Sequence, residues 1–305
     1  MSDTDSFPPF VLRPPFDDSG ADIILRSSEG IDFRVHRLVL SLASPFFKDM
    51  FNLPQPKGEA ETPVISMSES ALVLDRALRF WYPGAEPLTG ETLGELRDTL
   101  EALILKYDMG FLVPVAKSRL RAQMANDPVS VFAISCRHGW RDVAIEAAKT
   151  SLQFPIRDLD LDSPRPAHLT EMTADTYYSL LVYHLECASV ATSATSSLKW
   201  ASYPDDYPSK DCKMPQCALD REGGTREFAN EQKASLRLWH ANYLKTLGEI
   251  LGRTPGASPR SFELLALPTC VSCNRGLTRF SAALQAHIER EINSVELSNL
   301  ISESL

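Results

Sequence analysis

Two pairs of cysteines in the second half of the chain are the residues whose type and spacing most clearly suggest chemistry. Four residues separate the first pair, and two residues separate the second. Such spacings allow two thiolates to reach one tetrahedral Zn²⁺. The sequence therefore predicts a structural zinc site, which would contribute folding free energy where apolar packing is thin. Its ligands would be Cys212, Cys217, Cys270 and Cys273.

Other interpretations of these cysteines stay open. Fifty-two residues separate the two pairs, so a shared metal site would exist only after the intervening chain has folded. The four residues could instead be unconnected thiols. Cys270 and Cys273 could also form a dithiol redox centre, although they lack the strand-before, helix-after context of a thioredoxin motif. His287 is an alternative zinc ligand without supporting spacing.

Signatures of other active sites are missing from the sequence. We find no phosphate-binding Gly-x-x-x-x-Gly-Lys-Ser/Thr loop, Gly-x-Gly-x-x-Gly turn, His-Glu-x-x-His helix or Gly-x-Ser-x-Gly elbow. His36, between a valine and an arginine, is typical of a core histidine whose ring nitrogens are satisfied. We therefore expect that the protein is not an enzyme and that it has no catalytic residue and no small-molecule substrate.

Length and composition indicate two globular domains. The chain has 305 residues, of which 44% are hydrophobic and 23% charged, which is enough apolar surface for packed cores. Its net charge of −9 would repel phosphate backbones, so nucleic acid is an unlikely partner by charge. We find no signal peptide or membrane-spanning segment, and six cysteines are too few for a disulfide scaffold. We expect a cytoplasmic or nuclear protein with no membrane partner.

Periodicity predicts strands and helices in the first 125 residues. A β-prone run at residues 22–26, a turn at 27–30 and a second run through Phe33 and Val35 predict a hairpin. Ser44 followed by Pro45 is typical of a helix start, because serine caps and proline suits the first turn. Further predicted elements are a strand at 63–67, a helix at 71–81 and two helices within 89–120 that are broken at 108–110.

The remainder of the chain is predicted to be mostly helical. Asp127 and Pro128 repeat the cap-and-proline start, and residues 139–142 interrupt two alanine-rich helical patterns. Residues 154–168 are predicted to be a connector and residues 192–211 an irregular segment rich in Ser, Thr, Pro and Tyr. Further helices are predicted at 170–190, 222–251 and 278–300.

The N-terminal part resembles a BTB (POZ) domain. Residues 22–51 carry, in order, an acidic residue that opens a strand, a Phe-x-x-His-Arg step, a Ser-Pro-Phe-Phe sequence and a closing Met-Phe. Residues 78–84 are similar to the family's Leu-x-Phe-x-Tyr-x-Gly helix end, and residues 103–108 to its next helix. The resemblance covers residues 16–125, and residues 127–152 are similar to the helical BACK-like extension that often follows. The whole chain looks most like BTB proteins of basidiomycete fungi.

This resemblance implies an α+β fold, with a small mixed sheet flanked by helices at 16–125 and a mostly α-helical C-terminal domain at 126–305. It also implies that Asp22 and Arg37 match a charged pair near the dimer face. The alternative is that the pair caps and solubilises a hairpin within one protomer. Four prolines between Phe7 and Phe16 preclude the N-terminal helix that swapped dimers use, so a swapped dimer is not expected.

The predicted function is therefore protein–protein interaction, by self-association or by recruitment of a partner. A narrower hypothesis is a substrate adaptor of a cullin-based ubiquitin ligase, because Met67, Ser68 and Glu69 fit the hydrophobic-x-Glu signature of cullin-binding members. A hypothesis of another class is a transcriptional regulator with a zinc-stabilised C-terminal domain. No basic stripe accompanies the cysteines, which weighs against contact with DNA.

Overall fold

The computed structural model describes residues 10–53, 62–86, 90–155, 172–201, 212, 225–229, 231, 233–260 and 271–296. The chain divides into two compact units, with the boundary between Gln123 and Met124. The N-terminal unit combines a small sheet with helices, whereas the second is mostly helical. The predicted α+β fold with a helical C-terminal region is confirmed.

A three-stranded sheet organises the N-terminal unit. Strands β1 (Ile23–Arg26) and β2 (Asp32–Val35) form the predicted antiparallel hairpin, and β3 (Val64–Ser66) pairs in parallel with β1, in the order β2-β1-β3. The hairpin turn contains Gly30 at a φ of 86°, a left-handed conformation that glycine adopts without a steric penalty. Alternate side chains of the two hairpin strands then face one buried side of the sheet.

Among the described residues of this unit, five α-helices, a π-helical segment and a 3₁₀ turn accompany the sheet. Helix α1 (Arg37–Ala43) is followed by α2 (Pro45–Asn52), α3 (Ala71–Arg79) and α4 (Leu93–Leu100). Helix α4 continues as a π-helix (Glu101–Lys106), and a 3₁₀ turn (Gly110–Leu112) leads into α5 (Val113–Gln123). Asp108, at a φ of 52°, lies in the interruption predicted at 108–110. The helices enclose one core that contains Phe33, Leu40, Phe47 and Leu78.

Ser44 connects the start of α2 to the opposite side of this core. Its buried hydroxyl accepts a hydrogen bond from the Phe47 amide, at 3.2 Å, and donates to the Tyr107 carbonyl, at 2.5 Å. We expect Ser44→Ala to lower the free energy of unfolding by about 2 kcal/mol, because it removes a helix cap and leaves a buried carbonyl unsatisfied. Urea unfolding measures this loss. The more exposed cap Thr92 is the control, and an equal loss in Thr92→Ala would contradict the argument.

The described residues of the second unit include two groups of helices. Helices α6 (Pro128–Arg137) and α7 (Arg141–Ser151) contact each other and are joined by a turn at Gly139, where φ is 70°. Helix α8 (Ala174–Ser196) contacts both α9 (Leu238–Leu251) and α10 (Val271–Ser294). Strands β4 (Thr225–Glu227) and β5 (Lys233–Ser235) form a short antiparallel pair. Of the helices that the structure describes, none is long and apolar enough to cross a membrane.

Two expectations for this unit were wrong. Helix α8 continues to Ser196, into the segment 192–211 that was expected to be irregular. Its hydroxyl groups bond to carbonyls of the preceding turn, as Thr192 does to Ala188 at 2.7 Å, while buried Ala194 fixes this turn by packing. Residues 225–227 and 233–235 form strands where a helix was expected, and buried Phe228, directly after the first strand, forms a bridge to Leu198. Most of the predicted connector at 154–168 lies outside the described residues.

Candidate functional site

Helix α1 exposes two large apolar side chains on one face. Leu38 is 69% and Leu42 80% exposed, and they are four positions apart in the sequence, so they lie about one turn apart on the same side of the helix. Leu40, between them in sequence, is fully buried in the core. The Leu38/Leu42 pair therefore contributes little to the packing of its own unit and is available for contact with another chain.

Asp22 supports the start of this helix. Its Oδ1 accepts a hydrogen bond from the Arg37 backbone amide at 2.8 Å, which satisfies one of the unpaired amides of the first turn of α1. The Arg37 guanidinium lies over the Phe51 ring, 5.2 Å from its centroid. This hydrogen bond supports the local capping alternative. A role for Asp22 and Arg37 at an interface stays a prediction.

His36 precedes α1 and bonds within its own unit. Its Nδ1 lies 2.7 Å from the Tyr82 hydroxyl, which also accepts a hydrogen bond from the His36 backbone amide at 3.1 Å. The Nε2 atom lies 3.8 Å from the Asp18 carboxylate. Burial raises the pKa of Tyr82, so its hydroxyl keeps its proton. The expectation of a core histidine was wrong, because the ring is 39% exposed, although its Nδ1 has the Tyr82 hydroxyl as a partner.

Residues 10–17, the N-terminal arm, pack against their own unit. Phe16 is fully buried, with its ring 5.9 Å from that of Phe33 and 5.5 Å from that of Tyr82. The Phe16 carbonyl accepts a hydrogen bond from the Arg34 amide of edge strand β2, at 2.9 Å. The arm contains no helix, in agreement with its prolines.

A buried ion pair holds this arm in place. Arg79 donates to Asp75 at 2.9 Å, and the two side chains are only 5% and 4% exposed. The guanidinium also donates to the carbonyls of Arg13 and Pro14, each at 3.2 Å. Sequence reasoning missed this pair. The available signal was an aspartate and an arginine one helical turn apart in a helix of otherwise mainly apolar character.

The residues of the proposed cullin signature face inward. Met67 is 8% exposed, and the Glu69 side chain, 10% exposed, is hydrogen-bonded to the Lys106 ammonium. Burial opposes ionisation of this carboxyl, but the hydrogen bond from Lys106 contributes to a net lowering of the Glu69 pKa. The Glu69 carboxylate therefore connects β3 to the π-helix. The cullin-adaptor hypothesis stays a prediction.

Half of the predicted zinc site lies outside the described residues, because Cys217 and Cys270 are not among them. Cys212 is half-buried, and Cys273 is buried in α10. Within the part of the chain that the structure describes, no three His, Cys, Asp or Glu residues are grouped to hold a metal ion. A zinc site with the four cysteines stays a prediction. The alternative ligand His287 stacks on Trp200, with 4.8 Å between ring centroids.

The remaining cysteines, Cys136 and Cys187, are buried. Burial raises the pKa of each thiol to about 12, so both stay protonated and unreactive at neutral pH. This environment is that of ordinary core thiols.

Comparison with known proteins bears on the N-terminal unit alone. Residues 15–123 match the family model of the BTB/POZ domain. None of the curated proteins matches the chain significantly.

Proposed function

We propose that this chain, whose residues 15–123 form a BTB/POZ domain, is a protein-interaction module that self-associates through the exposed face of α1. BTB/POZ domains generally mediate protein–protein interaction. The observation that carries the proposal is the exposure of Leu38 and Leu42 on a helix whose other face is packed in the core. A two-fold dimer would place the same face of each protomer against the other.

The expected energy indicates that neighbouring residues must contribute. Burying a leucine gains about 1.5–3 kcal/mol, so four leucines at a two-fold interface would supply about 6–12 kcal/mol. The loss of translational and rotational freedom on association costs about 4–15 kcal/mol, which is as large as this gain. Burial of the four leucines is therefore not sufficient for a stable dimer without contacts from neighbouring residues. Asp22 and Arg37 lie at the N-terminal end of the same helix, where their charges would orient the two protomers.

The position of the N-terminal arm favours a dimer without strand exchange. Exchange of the arm would extract Phe16 from a fully buried position and break the hydrogen bonds from Arg79 to the arm carbonyls. Both changes cost free energy, and the same contacts made with the partner protomer would only recover this cost without any net gain. The proposed dimer therefore uses folded domains with their arms retained.

We expect the double variant Leu38→Asp and Leu42→Asp to dissociate the dimer, weakening self-association at least about a hundredfold, because four carboxylates would be buried without partners. Sedimentation equilibrium of the full chain measures this change. Val115→Asp is the matched control, since Val115 is 46% exposed on α5, and it should leave the dimer intact.

Two outcomes would count against this proposal. A wild-type chain that is strictly monomeric at high concentration refutes self-association and leaves recruitment of a different partner. A double variant that remains dimeric refutes the α1 face as the site of contact.

A further inference from the structure

The two cysteine pairs of the C-terminal unit have no role in the proposed self-association, which uses the N-terminal unit. Four residues separate Cys212 from Cys217, and two separate Cys270 from Cys273. Spacings of this kind occur in zinc sites, where both members of a pair bind the same ion. Cys217 and Cys270 lie outside the described residues. The geometry that bears on a shared site therefore comes from Cys212, Cys273 and the elements around them.

The second pair lies at the start of α10. The helix begins at Val271, so Cys273 is its third residue and Cys270 directly precedes it in the sequence. Cys273 is fully buried. The amides of a first helical turn have no acceptor within the helix, and the helix dipole is positive at this end, so both favour negative charge there. Zinc binds cysteine as the thiolate, which this position suits.

The first pair belongs to a stretch of chain whose two ends are held together. The Ala229 amide donates a hydrogen bond to the Ala201 carbonyl at 3.0 Å, and Phe228 forms a bridge to Leu198. Residues 202–224, between these ends, include one leucine and no valine, isoleucine, phenylalanine or tryptophan. Such a composition offers little apolar surface to bury, so a metal ion would supply free energy that packing of this stretch cannot.

One end of this stretch contacts α10. The Trp200 ring lies 5.6 Å from the Phe280 ring, measured between centroids. Phe280 is seven positions after Cys273, which is about 10 Å along the helix axis. Twelve positions separate Trp200 from Cys212, enough chain to span up to about 40 Å. The contact therefore keeps Cys212 within reach of the first turn of α10, although 52 residues separate the two pairs in the sequence.

The helix geometry excludes His287 as a partner of Cys273. His287 is fourteen positions further along the same helix, about 21 Å along its axis, so one ion cannot bind both side chains. The His287 ring instead stacks on Trp200, and its Nδ1 lies 3.7 Å from the Glu291 carboxylate.

We propose that one Zn²⁺ is bound by four thiolates, those of Cys212, Cys217, Cys270 and Cys273. The ion would fasten the stretch that follows α8 to the start of α10. A dithiol redox centre would use the second pair alone and leave the spacing of the first pair unexplained. Four thiolates complete a tetrahedral shell, so the site would be structural, with no open position for a substrate. The cysteines and the α1 leucines belong to different units, so the proposal does not depend on self-association.

The test measures metal in the full chain, purified without a metal-affinity tag. We expect elemental analysis to find about one zinc ion per chain after dialysis against metal-free buffer. Cobalt(II) exchanged for zinc should give the thiolate charge-transfer absorption and the strong visible bands of a tetrahedral sulfur site.

Cysteine variants assign the ion to its ligands. Cys212→Ser is the test variant, because Cys212 is half-buried and its replacement disturbs little packing. Competition with a chelator should show zinc binding weakened at least about a hundredfold, since loss of an outer-shell partner alone costs about 10–100-fold. The controls are Cys136→Ser and Cys187→Ser, which make the same change at buried thiols and should keep the zinc. Because the controls disturb the core more, loss of zinc from Cys212→Ser alone could not be attributed to misfolding.

The proposal fails if the wild-type chain, incubated with zinc and dialysed, retains less than about 0.1 ion per chain. It also fails if Cys212→Ser binds zinc as tightly as the wild type, or if the controls lose zinc equally. Sedimentation of the same variants separates this result from the proposed self-association, because Cys212→Ser should leave the dimer intact.

Discussion

Arg79→Met is expected to destabilise the N-terminal unit by about 3–5 kcal/mol, the cost of leaving a buried charge without its partner. Asp75, which is 4% exposed, would lose the guanidinium that lies 2.9 Å away. The same change frees the Arg13 and Pro14 carbonyls, so the N-terminal arm should also detach. Chemical unfolding measures the loss, and limited proteolysis detects the released arm.

A pH titration separates this explanation from simple loss of packing. Burial already raises the pKa of Asp75, and removal of its cation would raise it further. A carboxyl whose folded-state pKa is raised favours the folded state when protonated, so the deficit of the variant should shrink as the pH falls through that pKa. A deficit that is unchanged at low pH would contradict the charge argument. Arg26→Met, which removes the exposed Arg26 and Asp32 pair, is the control and should cost far less.

The C-terminal unit is expected to lose stability steeply as the pH falls from 6.5 to about 4. Burial lowers the pKa of His184 to about 4 and that of His240 to about 3, whereas an unfolded histidine titrates near 6.5. The unfolded chain therefore binds more protons in this interval, so stability decreases by up to about 1.4 kcal/mol per pH unit for each histidine. His138 is shifted in the same direction by burial.

The combined loss of stability from these three histidines is large compared with the unfolding free energy of about 5–15 kcal/mol that domains usually have. The C-terminal unit should therefore unfold between about pH 5 and 4. Three of the four tryptophans lie in this unit, and Trp81→Phe makes fluorescence specific to it. The amide of His184→Gln can keep the hydrogen bond to Ser151, whose hydroxyl lies 2.8 Å from Nε2 in the wild-type chain. This variant should reduce the slope of the unfolding free energy against pH by about the contribution of one histidine. Equal urea midpoints at pH 7.5 and pH 5 would rule out this coupling.

Local sequence signals were sufficient for most elements of the N-terminal unit. Ser44 with Pro45, the glycine of the hairpin turn and the alternation of Phe33 and Val35 act over a few residues, and each predicted element is present. These signals work because caps, turns and two-residue periodicity depend on the backbone conformation of their immediate neighbours.

The candidate surfaces depended on packing between distant segments. Helix α1 is apolar on more than one face, so its sequence alone does not reveal that Leu40 is buried while Leu38 and Leu42 are exposed. Likewise, the sequence alone does not show that Leu105 is 56% exposed while Leu103, in the same π-helical segment, is 1% exposed.

The same division holds for polar residues and for the C-terminal unit. Asp75 and Arg79 lie one helical turn apart in the sequence, but only the packed structure shows that both side chains are buried and that Arg79 also bonds to the arm. The end of α8 is rich in Ser and Thr, residues of modest helix propensity, yet packing against α9 extends it. Residue order thus specifies where elements begin and which periods they follow, whereas solvent exposure is a property of the assembled surfaces, because it depends on which distant segments cover each side chain.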